Sequence, residues 1–348
     1  MHILQINTEK GWRGGERQTL LSMQGLRRAG IRVSLLCLKK RPLYRNAMAE
    51  GFPVIGVGGQ SGALLHLLRC GRRYSILHAQ SSRAFGFASI ASLLVPTPLV
   101  YTRRVDFVPH GALTRWKYHR ATALVAISHA IAAVLRNAGM GSADVISSMV
   151  VERESDGSRA LALKEQEHLD GKAVVGVVAA LVGHKDPLTM VRAAAAVIAK
   201  IPDTVFLHFG DGTLRPEVEQ AIRNHALGNR YRLMGHCSGV EDYFQLFNCF
   251  AMSSSEEGLG SSVLDAFYSG IPVASTSAGG LAELVGGRGL LSPVRDPAAL
   301  AANIIALLSD REKAAALTAI AKRYVTEEHG VDVLTARYVM LYKRLAIP

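Results

Sequence analysis

Two carboxylates stand eight positions apart in the stretch EEGLGSSVLDAFYSG, residues 256–270. Glu257 lies in a glycine-containing segment, and Asp265 lies in the apolar run that follows a pair of serines. The apolar run is typical of a helix, and the free N–H groups at the start of a helix bind anions. Glycines allow the backbone to approach a ligand closely. The stretch therefore combines a predicted anion site with the Glu257 carboxylate. Because like charges repel, this carboxylate is expected to contact a group other than the bound anion.

A phosphate is expected over Gly260, Ser261 and Ser262, at the start of the predicted helix. Glu257 would then face the group that the phosphate carries, and sugar hydroxyls are donors that such a carboxylate can accept. Two alternatives remain open at this point. Glu257 would be a solvated loop acid in the first, and Asp265 would form a capping box with Ser262 in the second.

Short buried strands alternate with helix-like stretches throughout the first half of the chain. Each predicted strand is rich in Val, Ile and Leu and is bounded by Gly, Pro or polar residues. The predicted strands are HILQIN, VSLLCL, PVIGV, SILHAQ, PLVYT and ALVAIS. This alternation predicts an α/β domain with a parallel sheet and helices on both faces.

A second cycle of strands and helices follows a polar stretch at residues 152–171, which we interpret as a linker. Its strands are predicted at AVVGVVAAL, TVFLHFG, YRLMG, CFAMSS and PVASTS. The predicted domains are 1–165 and 172–328, and a C-terminal helix at 329–348 is expected to pack back toward the first domain. Ligands bind beyond the carboxyl ends of parallel strands, so the two sheets are expected to face a central cleft.

The formal net charge of +12 is concentrated in the N-terminal part of the chain. Residues 1–150 hold 20 Lys and Arg against 5 Asp and Glu, whereas residues 151–348 hold 20 against 23. An imbalance this local favours an anionic partner over solubility alone as its cause. Nucleic acid, phospholipid headgroups and an acidic substrate are the classes of partner that it allows.

The four cysteines are scattered without CxxC spacing, which argues against a zinc site or a disulfide framework. No uninterrupted apolar run reaches about 18 residues, the length of a membrane span. No cationic segment followed by an apolar signal precedes MHILQIN. These features predict a reduced, cytoplasmic protein without a transmembrane helix.

The C-terminal half resembles the retaining glycosyltransferases of family 4 (glycosyl transferases group 1), which have the two-domain GT-B fold. Their mark is EGFG-x-x-x-x-E, which stands here as Glu257-Gly258-Leu259-Gly260 followed by Asp265. The likeness extends to HFGDGTLRPEVE, SGIPVASTSAGGLAELV, DPAALAANIIALLSD and, near the N-terminus, KGWRGGERQTLLSMQGLRRAGIRVSLLC. HAQSSRA, TRRVDF and AISHAI are similar to strings in members that act on bacterial surface polysaccharides. The resemblance covers nearly the whole chain, with a weak patch at 140–172.

The resemblance implies a role for each matching position in a nucleotide-sugar site. The residues implied to bind the donor phosphates are Gly14, Gly15, Lys185, Gly260, Ser261 and Ser262. Those implied to bind the donor sugar are Glu257, Gly258 and Leu259. Asp265 would bind the ribose, and the base would be lined by Met234, Gly235 and Val240. Neither a metal nor another cofactor is expected, because cations and helix dipoles neutralise the leaving diphosphate.

Three positions depart from the family pattern. Where the family usually has an arginine five positions before the lysine, this chain has Ala180, and Asp265 stands in place of a glutamate. Arg103 occupies a strand end where the family often has a histidine. We predict that Arg103 is catalytic and that either Arg103 or Arg104 replaces the lost charge. An ion pair with Asp106 is the alternative role for Arg103.

Three residues of the first half are candidates for the acceptor side, namely His78, Arg104 and Asp106. The alternative for His78 is a hydrogen-bonded core histidine, since it ends a buried strand.

The resemblance implies an enzyme that moves a sugar from a nucleotide to a lipid-linked or lipopolysaccharide-type glycan. The leaving diphosphate would accept the proton of the acceptor in a front-face displacement. A nucleotide-sugar epimerase of similar fold and a non-catalytic sugar-nucleotide-binding protein at the membrane surface remain alternatives. A nucleic-acid partner is not expected, because it would leave the Glu257 loop without a role.

Two basic segments of the first half suit the headgroup layer of an anionic bilayer. ALLHLLRCGRRY, residues 63–74, places four leucines ahead of three arginines. ALTRWKYHRA, residues 112–121, mixes Trp116 and Tyr118 with basic side chains. We therefore expect peripheral association with the inner face of the membrane. The alternative is that the apolar side chains pack on the sheet and the arginines are merely solvated.

Overall fold

The computed structural model describes residues 1–151 and 156–346 and divides the chain into two compact units. The first unit is Met1–Val151 together with Glu328–Pro348, and the second is Glu152–Glu327. Each unit is built on its own parallel sheet. This confirms the prediction of two Rossmann-like α/β domains.

The first unit contains a seven-stranded sheet in the order β3-β2-β1-β4-β5-β6-β7, in which every neighbouring pair is parallel. Its strands are β1 (His2–Asn7), β2 (Arg32–Leu38), β3 (Val54–Val57), β4 (Ile76–Ala79), β5 (Leu99–Arg103), β6 (Ala123–Ala126) and β7 (Asp144–Val145). Its helices are α1 (Gly14–Arg28), α2 (Pro42–Ala49), α3 (Gln60–Cys70), α4 (Ser82–Ala91), α5 (Ala112–Arg120), α6 (His129–Asn137) and α14 (Val331–Ala346).

The central strand β1 is apolar because both of its faces are buried. Ile3 lies in the core cluster that also contains residues of α1 and α14, whereas Leu4 and Ile6 lie in the cluster that contains residues of α3 and α4. Alternate side chains of a strand point to opposite faces, so a central parallel strand covered by helices on both sides has no polar face to show. The strand order reverses at β1, which makes the edge between β1 and β4 the switch point of this sheet.

The second unit contains a six-stranded parallel sheet in the order β10-β9-β8-β11-β12-β13. Its strands are β8 (Ala173–Val178), β9 (Thr204–Phe209), β10 (Tyr231–Gly235), β11 (Cys249–Met252), β12 (Val273–Thr276) and β13 (Leu290–Ser292). Its helices are α7 (Gly157–Gln166), α8 (Pro187–Lys200), α9 (Arg215–Asn224), α10 (Ser261–Tyr268), α11 (Gly280–Val285), α12 (Pro297–Ser309) and α13 (Arg311–His329). Short 3-10 helices cover Gly71–Arg73, Gly183–Lys185, Gly228–Arg230 and Val240–Leu246.

The first boundary lies earlier than the predicted end of the first domain at residue 165. Much of the stretch interpreted as a linker is helix α7, which packs against the 3-10 helix Val240–Leu246 of the second unit. Arg159 of α7 forms an ion pair with the buried Asp242, at 2.5 Å. Residues 152–155 of the predicted linker lie outside the described residues. The second boundary falls near the end of α13, after Glu327.

Helix α14 packs against α1 within the first unit. Gly25 of α1 permits this approach, because a Cβ atom at that position would lie 2.0 Å from Oγ1 of Thr335 and 3.0 Å from Cγ1 of Val331. Both neighbours are β-branched and buried, so their rotamers leave little freedom to yield. In the part of the chain that the structure describes, no helix has the length and apolar character needed to cross a membrane.

Substitution of Gly25 tests this packing. We expect Gly25→Ala to lower the free energy of unfolding by about 1–3 kcal/mol, because the added methyl group overpacks the α1–α14 contact. Gly86→Ala in α4 is the matched control. Among the described residues, no atom beyond its chain neighbours and its own helix backbone lies within 4 Å of the added Cβ. That variant should gain about 0.4–1 kcal/mol through the unfolded state. Urea unfolding of both variants measures the difference, and equal stability of the two would contradict the described contact.

Candidate functional site

The loops that follow β8 and β11 lie side by side at the carboxyl edge of the second sheet. The two strands are neighbours, and the strand order reverses between them. Lys185 ends the 3-10 helix Gly183–Lys185 after β8, and Glu257 lies in the loop after β11. Open α/β sheets bind their ligands at such switch points, so this edge is the candidate functional site of the second unit.

The Lys185 ammonium group is in contact with the Glu257 carboxylate. The two side chains are only 18% and 14% exposed. The Ser254 hydroxyl lies 3.4 Å from the same carboxylate oxygen and donates to it. Glu257 is therefore not the solvated loop acid of the alternative interpretation, because a cation and a hydroxyl hold it in a largely enclosed position.

Hydrogen bonds fix the backbones of the two loops to each other. The buried Ser253 hydroxyl lies 3.0 Å from the carbonyl oxygen of Lys185 and 2.9 Å from that of Asp186, so these two oxygens share its single proton. In the reverse direction, the N–H group of Ser255 donates to the carbonyl oxygen of His184 at 2.9 Å. The ion pair therefore joins two loops whose relative position is already fixed by these hydrogen bonds.

The glycine pair Gly279 and Gly280, at the start of α11, packs against the backbone of the Glu257 segment. The N–H group of Gly280 donates to the carbonyl oxygen of Glu257 at 2.8 Å. A Cβ atom at Gly279 would lie 2.3 Å from that carbonyl oxygen, and one at Gly280 would lie 2.3 Å from the carbonyl oxygen of Gly258. Glycine is thus required at both positions because backbone packs directly on backbone. Gly258 and Leu259 are buried by this arrangement.

Helix α10 begins at Ser261, as the sequence predicts. Gly260 is its N-cap residue, with φ +93°, and as a glycine it has no side chain with which to cap the helix. Ser262 and Asp265 therefore do not form the capping box of the alternative interpretation. Ser261 is exposed, and Ser262 and Asp265 are half-buried, so the first turn of α10 is open to an anion at the same edge of the sheet.

The residues predicted to line the base lie at the end of β10 and at the start of the next 3-10 helix. Met234, Gly235 and Val240 are all half-buried. Gly235 has φ +72°, and its carbonyl oxygen accepts a hydrogen bond from the N–H group of Gly210 at 2.8 Å. A Cβ atom at Gly210 would lie 1.9 Å from the carbonyl oxygen of Ala179. This close packing connects the loops after β8, β9 and β10.

In the first unit, α1 begins at the predicted glycine pair. Gly14 is the first helical residue, and the N–H group of Arg13 donates to the Glu16 carboxylate at 2.8 Å. Burial raises the pKa of Glu16 above its ordinary value. Gly15 lies beside Arg104, whose Cδ atom is 3.8 Å from the position of a Cβ on Gly15.

Arg103, which the sequence predicts to be catalytic, lies almost fully buried in the first unit. Its side chain is 2% exposed, and its guanidinium group donates to the Tyr118 hydroxyl and to the carbonyl oxygen of Phe107. Strand alternation places Arg103 on the same face of β5 as the core residue Tyr101, which directs it into the unit. Within the described residues it forms no ion pair with Asp106, which is half-buried in the following loop. Arg103 therefore supports that loop and has little surface to offer a substrate.

His78 is a hydrogen-bonded core histidine, the alternative that the sequence left open. It is fully buried, with Nδ1 2.6 Å from the Tyr342 hydroxyl and Nε2 2.7 Å from the Thr102 hydroxyl. Burial, aided by Arg104, lowers the pKa of His78 to about 3. Arg104 is half-buried and donates to the side-chain oxygen of Gln80 at 2.7 Å, and burial lowers the pKa of Arg104.

Sequence reasoning did not single out Gln80, Ser253 and Ser254, which organise these two edges. Gln80 and Ser253 directly follow a buried strand, and Ser254 comes one position later. Their position was the available signal, because polar residues at the carboxyl ends of parallel strands face the ligand edge. Within residues 1–151 and 156–346, no group of three or more His, Cys, Asp and Glu side chains could hold a metal ion.

Both halves of the chain match glycosyltransferase families. Residues 159–324 match the family described as glycosyl transferases group 1, and residues 13–147 match a glycosyl transferase 4-like domain. A 2-deoxystreptamine glucosyltransferase of Streptomyces kanamyceticus is 26% identical over 265 residues, which cover 73% of this chain and 68% of that protein. A lipopolysaccharide core biosynthesis mannosyltransferase of Rhizobium meliloti is 24% identical over 37% of this chain and 38% of that protein.

The fold is also that of solved structures. The crystal structure of Anabaena HepE in complex with UDP-glucose has a TM-score of 0.85 and 21% sequence identity, over 99% of this chain and 100% of that one. At this level of identity the likeness shows a shared fold, and it agrees with the two Rossmann-like sheets described above.

The pH dependence of stability tests the assignment of His78 to the core. Its pKa is lowered in the folded chain, so its stabilising contribution is complete above about pH 6.5 and is lost as the pH falls toward 3. At pH 5 the loss from His78 alone should reach about 2 kcal/mol. We expect His78→Gln to be less stable than the wild type at pH 7 but to lose less stability between pH 7 and pH 5.

Urea unfolding at the two pH values measures these losses. His225→Gln, at an exposed histidine, serves as the control and should keep the wild-type dependence. An unchanged loss in His78→Gln would show that His78 is not held neutral in the core.

Proposed function

Because the chain belongs to the glycosyltransferases with a group 1 domain and a 4-like domain, we propose that it transfers a sugar from a nucleotide sugar to a lipid-linked or lipopolysaccharide-type glycan. The observation that carries the donor side of this proposal is the contact between Lys185 and Glu257 at the switch point of the second sheet. A diphosphate needs a cation and free N–H groups, and a sugar needs hydrogen-bond acceptors. Lys185, the first turn of α10 and Glu257 supply these three elements at one edge.

A UDP-sugar is the first donor to test. Anabaena HepE, which shares the fold over the whole chain, was solved with UDP and with UDP-glucose. The relative from Streptomyces kanamyceticus is named a glucosyltransferase. GDP-mannose is the second choice, because the relative from Rhizobium meliloti is named a mannosyltransferase.

We propose that transfer proceeds with retention of the anomeric configuration, by displacement on the face that the diphosphate leaves. The bond between the anomeric carbon and the diphosphate oxygen breaks, the acceptor hydroxyl bonds to that carbon, and its proton passes to the leaving diphosphate. Lys185 and the N–H groups of α10 stabilise the charge that develops on the diphosphate. Glu257 orients the sugar through its hydroxyls, so that the reacting atoms are aligned.

The acceptor proposal rests on charge and on an exposed apolar surface of the first unit. We define the basic apolar face as Leu65, Leu68, Leu93 and Leu94 with Arg69, Arg72 and Arg73. All of these side chains are exposed, and Leu93 and Leu94 are 57% and 68% exposed. Arg72 joins the two parts of the face by donating to the carbonyl oxygen of Leu94 at 3.2 Å. Leucines beside arginines suit the headgroup layer of an anionic bilayer.

The structure divides the predicted membrane segments into buried and exposed parts. Leu64 and Leu67 pack into the core, which leaves Leu65 and Leu68 for the face. In the second segment Tyr118 is buried, so it cannot contact a bilayer, and Trp116 is half-buried. We propose that the face binds the membrane that carries the acceptor, on its cytoplasmic side.

Removal of the Glu257 carboxylate tests the donor site. We expect Glu257→Ala to fold like the wild type and to transfer about 100-fold more slowly or worse, the scale of losing one aligned polar contact in a transition state. The measurement is transfer from UDP-glucose and GDP-mannose to lipopolysaccharide core, with nucleotide release followed in parallel. Glu256→Ala removes the neighbouring exposed acid and should keep wild-type activity. Normal transfer by Glu257→Ala would remove Glu257 from the site, and sugar release without an acceptor would favour the epimerase.

Charge reversal tests the basic apolar face. We expect the wild type to bind vesicles rich in anionic lipid, to bind neutral vesicles weakly and to dissociate as salt rises. Reversing Arg69, Arg72 and Arg73 to Glu should abolish vesicle binding and leave the affinity for nucleotide unchanged. Sedimentation with vesicles measures binding.

The matched control reverses three exposed arginines elsewhere on the first unit, namely Arg32, Arg45 and Arg136. It makes the same change in net charge and should retain most of the vesicle binding. Equal loss in both triple variants would assign binding to net charge alone, and no wild-type binding at low salt would reject the membrane proposal.

A further inference from the structure

The two ions of the Lys185–Glu257 pair have different partners in a nucleotide sugar. Lys185 suits the diphosphate, and Glu257 suits the sugar hydroxyls. In the structure the two side chains are each other's partners. A diphosphate that binds Lys185 must therefore compete with Glu257 for the same ammonium group.

The displaced carboxylate cannot retreat far from the phosphate. The carbonyl oxygen of Glu257 accepts from the N–H group of Gly280 at 2.8 Å, and the next residue toward the N-terminus, Glu256, is bound through its N–H group to the carbonyl oxygen of His184 at 3.3 Å. The close backbone contact at Gly279 blocks movement of the segment in that direction. Because the backbone is held, a released Glu257 can move only by rotation of its own side chain. Its carboxylate then stays within the length of that side chain from the diphosphate, where two negative groups repel each other in a partly enclosed site.

The intact nucleotide sugar can compensate for breaking the Lys185–Glu257 contact, whereas the nucleoside diphosphate cannot. The sugar of an intact donor offers hydroxyl groups, which donate to the released carboxylate. The nucleoside diphosphate that remains after transfer has lost this sugar, and the proposed site places its ribose hydroxyls at Asp265. Its binding therefore leaves Glu257 without the ammonium group and next to a second anion. An enclosed charge that loses its partner is costly.

We propose that the Lys185–Glu257 pair makes the site discriminate between the sugar-loaded donor and the spent nucleoside diphosphate, and thereby promotes product release. The inference rests on the proposed donor site and adds a role that orientation of the sugar does not require. Re-formation of the ion pair competes with the product for Lys185, whereas the intact donor satisfies both ions at once.

Replacement of the carboxylate by its amide isolates this role. We expect Glu257→Gln to bind UDP about tenfold more tightly than the wild type, because no ion pair has to be broken and no carboxylate faces the phosphate. Tenfold corresponds to about 1.4 kcal/mol. The affinity for UDP-glucose should gain less, so that the preference for UDP-glucose over UDP falls about tenfold. Calorimetry with both ligands measures the four affinities, with GDP and GDP-mannose used instead if transfer assays select that donor.

Two further variants make the test specific. Glu256→Gln makes the same charge change one position away on an exposed side chain, and it should leave both affinities within about twofold of the wild type. In a Lys185→Ala background, Glu257→Gln should tighten UDP binding by less than about threefold, because the ion pair is already absent and only the repulsion remains. The product inhibition constant for UDP should follow the same order in transfer assays.

Several results would overturn the inference while leaving the proposed function in place. They are unchanged UDP affinity in Glu257→Gln, an equal gain for UDP and UDP-glucose, an equal gain in Glu256→Gln, and an undiminished gain in the Lys185→Ala background. If neither UDP nor GDP binds the wild type, the donor site itself is wrong and the inference fails with it.

Discussion

The contact between a lysine and a glutamate at the carboxyl edge of the second sheet requires that the surrounding loops hold both side chains in a fixed geometry. Two partly enclosed ions are stabilised only if their geometry is held, because their desolvation has to be offset by contact and hydrogen bonds. The elements around Lys185 and Glu257 meet this demand. Ser253 ties the two loops together, and the glycines at 279 and 280 let a third loop pack directly on the Glu257 backbone. The adjacency of β8 and β11 is what brings the two loops to one place.

The first unit also contains buried polar side chains that are paired with one another in a hydrogen-bonded network. The Tyr342 hydroxyl of α14 lies 2.6 Å from Nδ1 of His78 and accepts from the Gln5 amide at 3.4 Å, while Gln80 donates to Gln5 at 2.8 Å. Buried polar groups are costly when unpaired. Here the two contacts of Tyr342 join side chains of the sheet to the C-terminal helix, and the Gln80–Gln5 hydrogen bond holds the sheet residues together. The hydrogen bonds thus specify where α14 packs, in addition to its apolar contacts with α1.

Much of this architecture could be predicted from the sequence, because its strands are buried on both faces and its helices have clear ends. Pro187 and Pro297 mark the helix starts that the structure has, and β8 to β12 lie within the predicted apolar runs. Helix α7 was interpreted as a linker because its sequence is polar, and its packing depends on the distant Asp242. The strands β7 and β13 have only two and three residues, too few to show a periodic pattern.

Some features of the candidate site can likewise be predicted from neighbouring residues in the sequence, whereas others depend on distant residues. The helix start at Gly260 and the glycine loop are local patterns, and the sequence predicts them. Arg103 shows the limit of local information. Whether its side chain meets a substrate or Tyr118 depends on which face of β5 points into the core and on the position of Tyr118, 15 residues later in α5. The pairing of Lys185 with Glu257 is likewise a property of strand order, since the two residues are 72 positions apart.

The first unit has an excess of positive charge that ion pairs within the unit cannot neutralise. The first unit holds 23 Lys and Arg against 7 Asp and Glu, and the second holds 17 against 21. Even if every acid of the first unit pairs with a base, most of its cations keep no acidic partner within the unit. Its positive potential therefore belongs to the whole unit and acts over roughly a Debye length, about 8 Å at physiological salt. Such a field attracts an anionic surface but does not orient the protein on it. For the membrane binding that we propose, orientation requires a local feature, and the exposed leucines beside the arginines would supply it, because apolar contact gains free energy only where the side chains meet the bilayer.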